Sequence, residues 1–209
     1  MKNEKKFTRC PWPKEDRLMI KYHDTEWGVP LHQDRKLFEF MVLDTFQAGL
    51  SWAIVLKKRV AFKKAFNNFD ATAIAKYRDQ DYQRLIKNKN IIRNKLKIKA
   101  TINNAQKFLT VQKEFGSFDN YIWLFVQNKT IKHRYRNIKQ VPTRNLQSDK
   151  MSQDLKQRGF KFVGSTICYA FMQAAGLVND HLIDCFCYQK INQKTCPPSL
   201  RSGVAGGKK

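Results

Sequence analysis

Acidic residues are scarce in this sequence. Its 209 residues include 17 Asp and Glu against 40 Lys and Arg, and the formal net charge is +23. The positive electrostatic field of such a protein favours a polyanion, most often a nucleic acid, as its partner. The alternative is a small basic protein whose lysines only keep it soluble. The cations are clustered, since residues 82–113 hold nine Lys and Arg without one acid and residues 120–148 hold six. Such runs suit a phosphate backbone, so we favour nucleic acid.

Long apolar runs are also missing. No segment approaches the roughly 20 apolar residues that span a bilayer, so we expect no membrane partner. Residues 1–6 are polar and lack the apolar run of a secretory signal, which predicts a cytoplasmic protein. Hydrophobic residues still make up 42% of the chain, and 15 residues are Phe, which is enough for a packed core.

The cysteines do not indicate a disulfide framework, because their number is odd and no signal peptide is present. They are Cys10, Cys168, Cys185, Cys187 and Cys196. Metal binding or simple burial is therefore preferred over disulfide bonds.

Four metal-capable side chains form two pairs at opposite ends of the chain, Cys10 with His23 and His181 with Cys185. The second pair is spaced four residues apart, so both side chains would share one face of a helix. Two Cys and two His are a usual set for structural zinc. Spacing alone leaves ordinary burial open, and it offers Cys187 and His32 equally well as ligands.

The alternation of apolar and polar residues that is typical of strands occurs only near residues 130–136, so we predict an all-α fold. The helical period covers residues 35–47, 53–66, 70–77, 90–114, 118–126, 148–158 and 165–175. Gly116, Gly159 and Gly176 are predicted to end helices. We expect residues 1–8 to be a flexible N-terminus. Residues 189–209, with two prolines, three glycines and terminal lysines, are predicted to be a disordered basic tail.

Residues 148–176 are predicted to form a helical hairpin. Its turn, residues 159–164, is bounded by Gly at both ends, and Gly164, Ser165 and Thr166 open the second helix. Backbone N–H groups and the positive end of the dipole at that helix start suit a DNA phosphate. The hydroxyls would add donors, and Lys161 would add charge. A plain helical corner is the alternative.

Six stretches follow one another in a characteristic order along the chain. They are RCPW (9–12), YHDTEWGVP (22–30), FQAGLSW (46–52), IIRN (91–94), RGFKFVGSTICY (158–169) and GLVNDH (176–181). Together they resemble the DNA-3-methyladenine glycosylase I family, and the resemblance covers residues 9–188. It implies an all-helical helix-hairpin-helix glycosylase domain over that range.

The resemblance also implies one zinc ion that joins the N- and C-terminal segments. Its ligands fall on Cys10, His23, His181 and Cys185, so Cys185 is selected over Cys187. Asp180, next to His181, is expected to orient the zinc site. His133 lies in a basic run and is expected to face DNA or solvent.

By resemblance, Trp12, Tyr22 and Trp52 are base-binding residues, on which a flipped base would stack for roughly 1–3 kcal/mol per ring. Trp27 is assigned to core packing, as single aromatic residues usually are. Many members carry Glu where this chain has Asp44, and some have a tyrosine where it has Met19.

Asp44 is the candidate catalytic and base-reading residue. It lies in a mostly apolar helix, where a carboxylate is costly unless something pairs with it. Exposure on the solvent side is the alternative. By resemblance it would accept hydrogen bonds from the amino edge of the base and balance its charge; a role in stabilising an oxocarbenium-like sugar ranks second.

A glycosylase must flip its target nucleotide out of the helix stack. The turn formed by Gly49 and Leu50 is expected to contact DNA, and Leu50 resembles the apolar wedge that fills the gap. A buried core leucine is the alternative. No Lys stands at residues 164–166, where a Schiff-base lysine is sought, so we expect a monofunctional enzyme that leaves an abasic site.

The sequence thus predicts a monomeric hydrolase of base-excision repair. It would release 3-methyladenine from alkylated double-stranded DNA and carry one structural zinc. Two alternatives stay open: a zinc-containing DNA-binding protein without activity, and a glycosylase with shifted damage specificity.

Overall fold

The computed structural model describes residues 8–194. Their helices are α1 (Arg17–Thr25), α2 (Asp34–Gln47), α3 (Trp52–Ala65), α4 (Ala71–Ala75), α5 (Asp79–Lys87), α6 (Lys95–Phe115), α7 (Phe118–Trp123), α8 (Leu146–Gln157), α9 (Ser165–Ala174) and α10 (Phe186–Lys194). Short 3-10 turns lie at Asn67–Phe69, Leu124–Val126 and Ile138–Gln140. Two-residue strands β1 (Ile131–Lys132) and β2 (Val178–Asn179) pair in parallel, with Ile131 opposite Val178. The predicted all-α class is confirmed.

Helix α2 forms the centre of the fold. Every residue from 37 to 46 is buried, so the helix has no polar face and must be surrounded. Helices α3, α6, α7 and α9 pack around it. A polar side chain within residues 37–46 is therefore forced into the interior, and this places Asp44.

Capping side chains mark the starts of several helices. Asp70 caps α4 and accepts from the backbone amides of Thr72 and Ala73. Asn94 caps α6, which therefore begins at residue 95 rather than 90. Asn145 caps α8, which begins two residues earlier than predicted. Helices α1 and α5 were not predicted, because both are short and largely polar.

Gly176 ends α9 in a conformation that only glycine adopts readily, with φ +71°. A Cβ atom there would lie 2.4 Å from the backbone of Val29 and Pro30. The C-terminal part of the chain thus packs directly on the loop that follows α1.

The two ends of the described chain meet. The amide of Phe186 donates to the carbonyl of Thr8 at 3.0 Å, which holds part of the segment predicted to be a flexible N-terminus. Helix α10 runs through residues 189–194, so the prediction of disorder was wrong there. Ile191 is buried against the core and gives this helix an apolar anchor. Residues 1–7 and 195–209 lie outside the described residues.

Within residues 8–194, no helix is both long enough and apolar enough to cross a membrane.

Candidate active site

The four predicted metal ligands, Cys10, His23, His181 and Cys185, lie together, all buried, with their ligand atoms within 4.8 Å of one another. His181 Nδ1 lies 3.6 Å from Cys10 Sγ and 3.5 Å from Cys185 Sγ, and His23 Nε2 lies 3.5 Å from Cys185 Sγ. Zinc bonds of about 2.3 Å to S and 2.0–2.1 Å to N, at tetrahedral angles, place S and N about 3.6 Å apart. The cluster therefore has the size and the donor set of a tetrahedral site.

The hydrogen bonds around the cluster fix which histidine nitrogens face the sulfurs. His181 Nε2 donates to the carbonyl of Trp27 at 3.0 Å, because a carbonyl can only accept, and this leaves Nδ1 free for a metal. His23 Nδ1 lies 2.8 Å from Asp24 Oδ1, which leaves Nε2 free. Such supporting bonds are typical of metal-binding histidines. Asp180 plays no part in them, so the role predicted for it was wrong.

The cluster favours one thiolate, that of Cys185. The hydrogen bond from Cys10 is the main cause that lowers the pKa of Cys185 far below its usual value, whereas the same bond, together with burial, raises the pKa of Cys10. A coordinating cysteine must be deprotonated. Cys187 lies beside the cluster, with its Sγ 3.8 Å from the carbonyl of His23.

A pocket of about 370 Å³ opens next to the cluster, and Trp12, Tyr22, Trp52 and Asp44 all line it, as does Met19. The rings of Tyr22 and Trp52 are 5.1 Å apart and tilted by 50°. Trp12 meets Tyr22 edge-on at 6.3 Å. The structure thus brings together the residues that the sequence assigned to base binding.

Asp44 is 2% exposed, and its Oδ2 atom is buried without a hydrogen-bond partner among the described residues. Burial alone raises the pKa of its carboxyl well above 3.8. No Lys or Arg lines this part of the pocket. Native proteins seldom leave a buried carboxylate unpaired, because each such group costs free energy. Exposure of Asp44 to solvent, the alternative considered above, is excluded.

Two more polar atoms in the pocket wall lack partners among the described residues. They are the indole N–H groups of Trp12 and Trp52. The pocket therefore presents two free donors and one free carboxylate oxygen between aromatic faces. Burial also raises the pKa of Tyr22, and the nearby Asp44 adds to that effect.

Trp27 is in the core, as predicted, but it also lines the pocket. Its ring packs edge-on against Trp12 at 5.1 Å and against His181 at 4.6 Å. It therefore connects the pocket wall to the metal-binding cluster.

Another wall of the pocket is held by a buried hydrogen-bond network that the sequence did not predict. Asp180 accepts from the hydroxyl of Tyr169 at 2.7 Å and from Gln173 Nε2 at 2.8 Å, and both donors line the pocket. His133 Nδ1 lies 2.5 Å from the other oxygen of Asp180. His133 is thus half-buried and paired rather than free to face DNA. An ionised carboxylate accepts hydrogen bonds and cannot donate them. The NH₂ group of the Gln173 amide, rather than its oxygen, must therefore face Asp180.

The segment around Pro142 closes the same pocket from the side, through Ile138, Val141 and Thr143. Its sequence signals only a turn, so nothing indicated its place. Thr166, at the start of α9, also reaches the pocket.

The turn between α2 and α3, residues 48–51, is called the wedge turn below. Leu50 is 39% exposed at its tip, and Gly49 has φ +78° with open space around it. The amide of Leu50 donates to the carbonyl of Gln47 at 2.6 Å. Leu50 is therefore not a core leucine.

The hairpin turn, residues 159–164, joins α8 to α9. Lys161 and Thr166 are exposed, and Ser165 and Gly164 are half-buried. Gly164 precedes the first residue of α9 without a side-chain cap, so the first amides of that helix have no capping side chain.

The fold is one found among DNA glycosylases. A crystal structure of 3-methyladenine DNA glycosylase I matches with a TM-score of 0.84 at 47% identity, and the match covers 86% of this chain and 99% of that one. A Tyr-to-Phe variant of 3-methyladenine DNA glycosylase I in complex with 3-methyladenine matches with a TM-score of 0.82 at 36% identity, over 85% and 95% of the two chains.

DNA-3-methyladenine glycosylase 1 of Escherichia coli (strain K12) is 46% identical over 180 residues, which are 86% of this chain and 96% of that protein. Residues 12–188 match the methyladenine glycosylase family. The chain belongs to this family, and the predicted family is confirmed.

Proposed function

We propose that this protein is a DNA glycosylase of base-excision repair that hydrolytically releases 3-methyladenine from alkylated DNA. The observation that carries the proposal is Asp44, a buried carboxylate with a free oxygen and no cation beside it, set among aromatic rings. A cationic base would supply the missing partner. Relatives of this protein are named for this activity, and one related structure is a complex with 3-methyladenine.

The pocket suits a flat cation. 3-Methyladenine carries a positive charge while it is attached to the sugar, and a cation is attracted to the face of an aromatic ring. Tyr22 and Trp52 offer such faces, and Trp12 closes the pocket edge-on. The N–H groups of Trp12 and Trp52 can donate to ring nitrogens, while Asp44 accepts from the exocyclic amino group.

In this proposal the wedge turn and the hairpin turn contact DNA. Leu50 fills the gap that the flipped nucleotide leaves in the duplex. The first amides of α9, with Ser165 and Thr166, hold a phosphate, and Lys161 adds positive charge. Because Thr166 also lines the pocket, the phosphate site and the base site adjoin. The substrate is double-stranded DNA, and the enzyme acts as a monomer.

The chemistry needs little proton transfer. The methylated base is already cationic, so it departs as a neutral molecule, and the protein mainly binds, orients and shields the reacting groups. Asp44 reads the base, and stabilisation of the positive charge that develops on the sugar is its second role in this proposal. Residues 164–166 contain no Lys, so the product is an abasic site without strand cleavage.

The Cys10, His23, His181 and Cys185 cluster binds one zinc ion in this proposal. The spacing of about 3.5 Å between S and N atoms and the free histidine nitrogens support it. The zinc has a structural role, because four protein ligands leave no open position for a reacting group.

The decisive experiment measures release of free 3-methyladenine from methylated duplex DNA by wild type and by Asp44→Asn. We expect release by wild type and a loss of roughly 100-fold in the variant, with unchanged affinity for undamaged DNA. DNA binding without release by wild type would leave only the inactive DNA-binding alternative.

A shift in damage specificity is the second candidate, because Asp44 and Met19 both line the pocket, and the resemblance described above implies Glu and Tyr at these positions in other members of the family. Release of 3-methylguanine and 7-methylguanine in parallel reactions tests it. Equal rates for 3-methyladenine and a methylguanine would establish a broadened specificity.

A further inference from the structure

Lys97, on α6, is buried although it lies in a basic run, and only 5% of it is exposed. Its ammonium donates to the carbonyls of Phe46 at 2.9 Å and Ala48 at 2.5 Å. Among the described residues no carboxylate pairs with it. A buried ammonium is costly, so its placement calls for a reason. Both carbonyls lie where α2 ends, and there a cation also complements the helix dipole.

The two carbonyls frame the start of the wedge turn. Lys97 therefore clamps the point from which the chain leaves α2 toward Leu50. Gly49 is the next residue, and a Cβ atom added to it would have no other atom within 4 Å. The tip of the turn thus has little packing of its own, and its placement depends on the residues at its base.

Asn104, seven residues further along α6, clamps the hairpin turn in a similar way. Its Nδ2 donates to the carbonyl of Lys161 at 2.9 Å, and its Oδ1 accepts from the amide of Lys161 at 2.8 Å. The neighbouring Asn103 donates to the carbonyl of Gly159 at 2.9 Å. The hairpin turn is thus held by side chains of α6 as well as by its own helices.

Seven residues are two helical turns, so Lys97 and Asn104 project from one face of α6 about 10 Å apart. Both are buried on that face together with Thr101. One continuous helix therefore holds two turns that are far apart in sequence.

We propose that α6 is a positioning element that fixes the separation between the wedge turn and the hairpin turn. Leu50 then enters the duplex at a set distance from the phosphate held at the start of α9. This inference rests on the proposed function. Small displacements of groups far from the reaction can cost roughly 100-fold in rate, so a rigid spacer between two DNA contacts is of direct use.

Lys97→Met removes the ammonium and keeps the length of the side chain. We expect release from methylated duplex to fall by about tenfold, while affinity for free 3-methyladenine, read from the fluorescence of the pocket tryptophans, changes by less than about twofold. Lys64→Met is the matched control, because Lys64 is exposed in the last turn of α3, outside both basic runs and outside both turns. Its release rate should stay within about twofold of wild type.

A double-mutant cycle with Leu50→Ala separates positioning from general stability. If Lys97 acts through the wedge turn, Lys97→Met should change the rate by less than about twofold once Leu50 is alanine. Additive losses, or a loss of free-base affinity equal to the loss of rate, would overturn the proposal. So would equal rates for wild type and Leu50→Ala.

Hydrogen exchange gives a readout that does not need activity. In Lys97→Met the amide of Leu50 should exchange at least about tenfold faster while that of Lys161 is unchanged, and in Asn104→Ala the reverse should hold. If Lys97→Met does not fold, Asn104→Ala tests the same claim at the hairpin turn. No change at either amide overturns the positioning role, whereas a wild type that releases no base refutes the proposed function instead.

Discussion

Replacing Asp44 by asparagine removes the only carboxylate that lines the described pocket while it keeps the size of the side chain. The carboxylate of Asp44 is unpaired in the free protein, so its ionised form is unfavourable there and its pKa is raised by burial. The same group should favour a bound cation. The substitution is therefore expected to improve stability and impair function at the same time.

The size of the stability effect follows from proton linkage. In the unfolded chain the carboxyl titrates near 3.8, whereas in the folded chain its pKa is well above that value. Between these two pKa values the folded state holds one more proton than the unfolded state. The free energy of unfolding of wild type must then fall with rising pH by about 1.4 kcal/mol per pH unit, relative to Asp44→Asn. The stabilisation is complete below the unfolded pKa and is lost as pH rises through the folded pKa.

Urea unfolding of both proteins over a pH series measures this difference. Asp70→Asn serves as the control: the hydrogen bond from the backbone amide of Ala73 lowers the pKa of that carboxyl, so the slope should have the opposite sign. The other titratable groups that interact with Asp44 are Tyr22 and Cys168, and burial raises the pKa of the Cys168 thiol to about 12. They therefore do not titrate in the same range.

Two results would refute the reasoning. A difference in unfolding free energy that does not change with pH would show that Asp44 ionises at its ordinary pKa in the folded protein. Release of 3-methyladenine by Asp44→Asn at the wild-type rate would show that the carboxylate does not read the base.

The other predictions concern the wedge, the metal cluster and two glycines. Leu50→Ala should lower release from duplex DNA by about tenfold and leave release from single strands unchanged, since only a duplex has a gap to fill; equal losses on both substrates would exclude a wedge. Cys10→Ser should lose zinc, measured by elemental analysis, and lower Tm by more than about 5 °C, whereas Cys187→Ser should retain zinc; zinc retained by Cys10→Ser would contradict the assigned ligands. Gly176→Ala should lower the free energy of unfolding by more than about 2 kcal/mol, because its Cβ atom would meet backbone at 2.4 Å, while Gly164→Ala, with nothing within 4 Å, should change it by less than about 0.5 kcal/mol. Thermal unfolding of the two glycine variants measures this difference, and equal shifts in Tm would contradict the packing described at Gly176.

Helical periodicity and capping residues were sufficient to predict most helices, because α2, α3, α6 and α9 bury continuous apolar faces. Residues 189–194 were assigned to a tail because the prolines and glycines further along dominate the composition of that segment. Ile191 is an apolar residue that packs in the core, and its presence favoured an ordered segment instead.

Lys97 shows how a run of charge can mislead. It was counted among the cations of a phosphate-tracking segment, yet it lies on the buried face of α6. Thr101, Asn104 and Phe108 follow it at the helical spacing of four, seven and eleven residues, and all of them are buried. That period was the signal that this lysine points inward.

Asp180 could not be assigned from its neighbour in sequence. It follows the strand β2, which ends at Asn179. His181 faces the cysteines, while Asp180 faces Tyr169 and Gln173. Adjacency to a predicted metal ligand thus gave the wrong partner, because the two neighbouring side chains contact different groups.

The Cys/His cluster and the base pocket are built from neighbouring positions of the same segments, so a metal bound there, as proposed, would affect base binding without taking part in the reaction. Trp12 lies two residues after Cys10, Tyr22 directly precedes His23, and the carbonyl of Trp27 accepts from His181. The ring of Trp12 is also 5.3 Å from that of His23. Loss of the metal would free Cys10 and His23 together, and both segments carry pocket rings. Chelation should therefore weaken affinity for free 3-methyladenine before the protein unfolds, and retained affinity in metal-free, folded protein would show that the rings are held by their own packing.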